Sequence, residues 1–67
     1  MERAYIREKR KKKGLLQSDL ADMLDIDTTM VGKVESGVRN PSVPLARRWA
    51  KCLGISERNI LKYFFAY

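Results

Sequence analysis

The segment from Thr28 to Ser36 separates polar side chains from apolar ones when it is drawn as a helix. At 3.6 residues per turn, Val31, Val34 and Glu35 fall on one face. The opposite face carries Thr28, Thr29, Gly32, Lys33 and Ser36. Threonine methyls can contact thymine methyls, and a lysine can donate to guanine or to a phosphate. Threonine and glycine are poor helix formers, so this face is more typical of a DNA-contacting surface than of the alternative, an ordinary solvated face.

A second short helix is predicted directly before this one. An apolar stripe predicts a helix over residues 17–24, and only three residues separate it from the helix over 28–36. Asp25 tolerates the left-handed backbone that a tight turn requires, and Asp27 is suited to cap the following helix with its carboxylate. The two helices form a helix-turn-helix unit at about residues 17–36, whose second helix can enter the major groove of DNA.

The remainder of the chain predicts three more short helices. We expect a first helix over residues 2–13, a fourth from Ser42 to Gly54, and a fifth that Ser56 caps and that carries Ile60, Leu61 and Phe64. No alternating stretch is long enough for a strand. The fold class is therefore all-α, a single compact five-helix domain over residues 1–67, with the C-terminal helix and an aromatic tail in 56–67.

Two charged residues fall on apolar helix stripes. Arg10 lies one turn after Ile6, and Glu35 follows Val34 on the inward face of the third helix. A buried charge is unfavourable unless it is paired, and the arginine fork matches a carboxylate with two parallel hydrogen bonds. We predict an Arg10–Glu35 ion pair with a structural role, joining the first helix to the end of the third.

The net charge of +6 is concentrated at one end of the chain. Residues 1–13 hold seven of the 14 basic residues against two acids. Such a block indicates a polyanionic partner, either nucleic acid or an anionic membrane. The alternative is a solvated helix end whose lysines complement the helix dipole.

Several classes of protein are excluded by composition. The chain has no histidine and one cysteine, Cys52, so we predict no disulfide, no metal site and no cofactor. No paired carboxylates or phosphate-binding glycine loop indicate an enzyme, and no small-molecule ligand is evident. The longest apolar run is far short of the ~20 residues that span a bilayer, and no signal peptide is apparent. We expect a cytoplasmic protein without a membrane partner.

Three segments carry a resemblance to a known family: Gly14–Ala21 (GLLQSDLA), Glu35–Ser42 (ESGVRNPS) and Ala50–Ser56 (AKCLGIS). They resemble the phage-repressor/Cro-like (XRE-type) helix-turn-helix family in order and spacing, over about residues 5–62. The resemblance implies a lambda-repressor-like fold and a regulator of transcription that binds double-stranded DNA as a homodimer.

The resemblance also implies roles for individual residues. Its base-reading positions are Thr28, Thr29 and Lys33. Its phosphate-binding positions are Gln17, Arg39 and Asn40, and we add Ser36 from the polar face of the third helix. Arg10 and Glu35 match the family's structural ion pair. Three positions depart from the family pattern: Asp25 replaces a usual glycine, Leu16 replaces a usual serine or threonine cap, and Gly32 interrupts the recognition helix.

The C-terminal tail concentrates four of the six aromatic residues: Tyr63, Phe64, Phe65 and Tyr67. One interpretation is a symmetric dimer contact through these side chains. The other is that Phe64 packs in the core while the remaining aromatics cover the first helix. We favour the dimer contact.

The leading functional hypothesis is a sequence-specific DNA-binding regulator, most simply a repressor, that binds a pseudo-palindromic operator as a homodimer. Half-sites would lie about 34 Å apart on one face of the duplex. The alternative is an antitoxin-like interaction module whose main partner is a protein. A phage switch, a restriction–modification controller and a toxin–antitoxin pair remain open as settings.

Overall fold

The computed structural model describes residues 3–65, and every helix in that range is short. The elements are α1 (Ala4–Lys12), α2 (Gln17–Leu24), α3 (Thr28–Ser36), α4 (Val43–Leu53), a 3-10 turn (Glu57–Asn59) and α5 (Ile60–Phe64). The all-α prediction is confirmed, because residues 3–65 contain five α-helices and no strand. None of these helices is both long and apolar enough to cross a membrane.

Helices α2 and α3 have the predicted boundaries, and the turn between them uses the predicted left-handed residue. Asp25 has φ 57° and ψ 48°, the only positive φ of a non-glycine residue within 3–65. The turn is closed by Ile26, whose backbone N–H donates to the carbonyl of Ala21 at 3.0 Å. Ala21 is buried, so α2 and α3 approach each other closely.

Asp25→Val should lower the free energy of unfolding by about 1–2 kcal/mol, because a β-branched side chain is strained in the left-handed region. Asp25→Asn should leave stability nearly unchanged, since asparagine tolerates that region. Urea denaturation of both variants measures the difference. Equal stability of the two would mean that the turn can relax out of its left-handed conformation.

Helices α2, α3 and α4 begin at the predicted positions, but not always with the predicted contacts. The hydroxyl of Ser42 accepts from the backbone N–H of Leu45 at 3.2 Å, as expected for a cap. The prediction of a side-chain cap is wrong for Asp27 and Ser56, which make no such bond. Asp27 is exposed, and its backbone carbonyl, rather than its carboxylate, accepts the first hydrogen bonds of α3. At α2, the carboxylate of Asp19 accepts from the N–H of Leu16 at 2.8 Å, which is the half of a capping box that does not need a serine at position 16.

Two boundaries differ from the sequence-based expectation. α1 begins at Ala4, because the N–H of Arg3 donates to the carbonyl of Glu35 at 2.7 Å and leaves Arg3 outside the helix. At the other end, the 3-10 turn occupies Glu57–Asn59, so α5 begins only at Ile60. Ile60 and Phe64, one turn apart, take the inward face, whereas Leu61 is 71% exposed.

The core lies between α1, α2, α3 and α4, and α5 packs on α4 to close it. Trp49 and Phe64 are its largest members, and their rings meet edge to face at 5.9 Å between centroids. The other buried apolar residues are Ile6, Leu20, Ala21, Leu24, Val31, Val34, Ala46, Ala50, Leu53, Ile55 and Ile60. This core fixes α3 with its polar face outward.

Candidate nucleic-acid interface

The outer face of α3 is polar, as the helical periodicity predicts. Val31, Val34 and Glu35 are completely buried. The exposed side chains of the helix are Thr28, Thr29, Lys33 and Ser36. No carboxylate belongs to this outer face, so α3 itself presents nothing that would repel a phosphate backbone.

The fold brings part of the following loop to the same surface. Thr29 and Lys33 line a shallow depression of about 410 Å³ together with Arg39, from the loop after α3. Asp27 and Met30 also line it, on the side of the turn. Two of the three predicted base-reading residues, Thr29 and Lys33, therefore share one concave surface with the predicted phosphate-binding residue Arg39.

Glu35 is the centre of a buried network behind this face. Its Oε2 accepts from Arg10 Nε at 2.6 Å, and its Oε1 accepts from Arg10 Nη2 at 3.3 Å. Oε1 also accepts from Gln17 Nε2 at 3.0 Å and lies 3.7 Å from Arg7 Nε. The structure thus contains the ion pair that the two apolar stripes predict, and it adds a link to α2.

Gln17, predicted to bind a phosphate, is half-buried at the start of α2. Its amide lies over Gly32, where an added Cβ would stand 3.7 Å from the amide atoms. One N–H of Gln17 is used by Glu35, so the second N–H and the first-turn backbone amides of α2 are the donors that a phosphate would meet.

Arg3 is a site residue that the sequence reasoning missed. Its guanidinium donates to the carbonyls of Phe64, Val34 and Arg39 and to Oδ1 of Asn40. Burial lowers the pKa of Arg3, but a guanidinium still remains charged at neutral pH. No local pattern indicates this role, because Arg3 precedes α1 and its partners Val34 and Phe64 lie 31 and 61 positions away.

The aromatic tail divides between the core and α1. Phe64 is 1% exposed, so the prediction that it contacts a second subunit is wrong: its ring is already covered by Trp49. Phe65 is half-buried against the core. Tyr67 lies outside the described residues.

Tyr63 covers α1 by stacking on Tyr5. The two rings are 4.2 Å apart with an interplanar angle of 11°, and the hydroxyl of Tyr63 donates to that of Tyr5 at 3.3 Å. This hydrogen bond raises the pKa of Tyr63 and lowers the pKa of Tyr5, with Lys9 adding to the latter effect. The contact joins the two ends of the described chain.

Comparison with known proteins agrees with this geometry. The helix-turn-helix family matches residues 6–60, and the chain belongs to that family. It is 40% identical over 52 residues to an "Uncharacterized HTH-type transcriptional regulator" of Methanothermobacter thermautotrophicus, covering 78% of this chain and 75% of that one. The restriction-modification controller protein C.AhdI from Aeromonas hydrophila is 40% identical, with a TM-score of 0.73 over 82% of this chain and 83% of the other.

The family and these relatives define the class of protein. It is an XRE-like helix-turn-helix DNA-binding regulator with the all-α fold of a controller protein, and it is not an enzyme.

Proposed function

We propose that this protein regulates transcription by binding a pseudo-palindromic operator in double-stranded DNA as a homodimer, in the cytoplasm, and that it represses by occluding the promoter. The observation that carries the proposal is the exposed face of α3, which has no acidic residue of its own and continues into Arg39 on one concave surface, with Asp27 at the edge nearer the turn. A rigid helix with short polar side chains and one lysine suits the major groove.

The contacts divide into base reading and backbone binding. Thr28, Thr29 and Lys33 read base edges, since these exposed side chains lie on the outer face of α3. The phosphate contacts come from the flanks of that face, through Gln17, Ser36, Arg39 and Asn40. Backbone contacts fix the register of the helix, and base contacts supply the sequence preference.

The dimer contact is proposed for the exposed apolar side of α5. Leu61 is 71% exposed there, and the half-buried Phe65 follows it one turn later, whereas Tyr63 lies on the side of the helix that faces α1. A contact of this kind is isologous, so it would present two copies of α3 to successive major grooves about 34 Å apart.

Of the settings left open by the sequence, control of a restriction–modification system has the most support. It rests on the 40% identity to a restriction-modification controller protein. The selected operator should then occur upstream of a restriction or methyltransferase gene in the source genome.

The test is selection of bound duplexes from a random pool at low and at physiological salt. Enrichment of an inverted repeat with half-sites about one helical turn apart would support the proposal. Binding without enrichment that disappears steeply with salt would show only counterion release at a basic surface. In that case a protein partner retained after nuclease treatment would favour the antitoxin-like alternative.

Lys33→Ala should weaken operator binding about 10-fold or more, because a lysine that contacts a base contributes on the order of 1–3 kcal/mol of discrimination. The midpoint of thermal unfolding should stay within a few degrees, since Lys33 is exposed. Lys51→Ala, on the exposed side of α4, is the matched control for the lost charge. Equal affinity of the two variants would remove Lys33 from the interface.

Leu61→Asn should raise the dimer dissociation constant without unfolding the monomer, because the change lies on an exposed apolar surface. Sedimentation equilibrium measures the effect, and Met23→Asn, at the 51% exposed Met23 of α2, is the control. Point variants are preferable to removal of the tail, since a cut after Lys62 also removes Phe64 from the core. An unchanged dimer constant would exclude this side of α5.

A further inference from the structure

We propose that Arg3 is a positioning residue for DNA binding: its guanidinium holds the loop of residues 38–40 against the ends of α3 and α5, so that Arg39 and Asn40 face the phosphate backbone. This inference rests on the proposed function, because it assigns to the loop a part of the operator contact. It adds a residue that neither contacts DNA nor belongs to the helix-turn-helix unit.

The guanidinium of Arg3 is fully engaged. Nε and Nη2 donate to the carbonyl of Phe64 at 3.0 and 2.7 Å, and Nη1 donates to the carbonyls of Val34 at 2.8 Å and Arg39 at 3.2 Å. The second N–H of Nη2 donates to Oδ1 of Asn40. All five N–H groups of the side chain therefore have acceptors, and Arg3 is only 8% exposed.

The position of these acceptors explains why a cation lies there. Val34 is in the last turn of α3 and Phe64 is the last residue of α5, so their carbonyls belong to helix C-termini. Such carbonyls carry partial negative charge and have free accepting capacity; that of Val34 accepts from the N–H of Gly37 at 3.1 Å, and Arg3 supplies a second donor to it. The backbone N–H of Arg3 also donates to the carbonyl of Glu35 at 2.7 Å, which anchors the residue to the same end of α3.

The loop is held by this cation from its inner side. The backbone N–H groups of Val38 and Arg39 donate to the carbonyl of Lys33 at 3.0 and 3.2 Å, but the carbonyl of Arg39 and the amide oxygen of Asn40 are held by Arg3. Because Oδ1 of Asn40 accepts from Arg3, its Nδ2 group is the part of the amide left to donate to a phosphate oxygen. Arg3 thus determines the orientation of that amide and the exit direction of the Arg39 side chain.

A lysine cannot replace this arrangement. Its ammonium is a compact charge with three donors, whereas the planar guanidinium spans two helix ends and the loop at once. Arg3→Lys therefore keeps the charge but loses the simultaneous contacts, which separates positioning from long-range electrostatic attraction.

The experiment is a double-mutant cycle on affinity for the selected operator duplex. Arg3→Met is measured in the natural loop and in a loop carrying Arg39→Ala and Asn40→Ala. We expect a loss of about tenfold in the natural loop and less than twofold in the altered loop, together with a decrease of about 1 in the salt slope in the natural loop only. Arg58→Met, which removes the same charge from an exposed residue of the 3-10 turn, should lose less than twofold in both.

Each outcome has a separate meaning. An equal loss in both loops would overturn the inference, since Arg3 would then act through stability or through another contact. An altered loop that binds as tightly as the natural one would also overturn it, while operator binding through α3 would stand. Absence of an enriched operator would defeat the proposed function itself.

Folding of the variants can be separated from positioning. All affinities are measured well below each variant's thermal midpoint, and Arg3→Lys replaces Arg3→Met in the cycle if the latter does not fold. In the DNA-free protein, the side-chain amide resonances of Asn40 should shift in Arg3→Lys and remain unchanged in Arg58→Met. Unchanged resonances in Arg3→Lys would contradict the proposed hold on the amide.

Discussion

Glu35→Ala is expected to lower the free energy of unfolding by about 3–5 kcal/mol, because it leaves a buried arginine without its carboxylate. Glu35 is completely buried, and its carboxylate accepts from Arg10 at 2.6 and 3.3 Å and from Gln17 at 3.0 Å. A domain of this size has on the order of 3–5 kcal/mol from its core. The variant should therefore be largely unfolded at 37 °C, as far-ultraviolet circular dichroism and urea titration would show.

The control for this prediction removes both charges together. Replacing Arg10 by methionine and Glu35 by leucine removes both members of the close pair and leaves only the partly exposed Arg7 without this carboxylate, so the double variant should be more stable than Glu35→Ala alone. If Glu35→Ala lowers the free energy of unfolding by less than about 1 kcal/mol, the pair is accessible to water. DNA affinity should decrease only in proportion to the loss of folded protein, apart from the effect of releasing the Gln17 amide from Glu35.

Phe64→Ala is expected to have a similarly large effect, a loss of about 3–5 kcal/mol, because removal of a buried aromatic ring leaves a cavity. The Phe64 ring packs edge to face on Trp49, and Phe64 is 1% exposed. Its carbonyl also accepts two hydrogen bonds from Arg3, so unfolding of α5 would release the loop after α3. Thermal unfolding followed by circular dichroism measures the effect.

Leu61→Ala is the matched control for Phe64→Ala on the same helix. Leu61 is 71% exposed, so its truncation should change stability by less than about 0.5 kcal/mol. A dimer contact through Phe64 would give the reverse order: a stable Phe64→Ala monomer with a weakened dimer. That result would mean that α5 turns its other face inward in solution.

The middle of the chain and its two ends differ in how far the local sequence pattern predicts the structure. Residues 17–54 have regular apolar spacing, a turn residue at Asp25 and a serine cap at Ser42, and the predicted helices over 17–24 and 28–36 have the bounds expected. The two ends have weaker signals. The 3-10 turn and the outward Leu61 depend on how residues 57–64 pack against α4, which no local pattern reports.

The sequence by itself determined the all-α class, the helix-turn-helix unit, the polar face of α3 and the Arg10–Glu35 pair, because each follows from spacing of 3.6 residues per turn and from the penalty on an unpaired buried charge. Only the tertiary structure decided the roles of Phe64 and Arg3. Arg3 meets Phe64, 61 positions away, and Asn40, 37 positions away, and these partners are carbonyl and amide oxygens that any sequence provides. Such contacts arise from the packing of α1 between α3 and α5, so they become visible only when the helices are assembled.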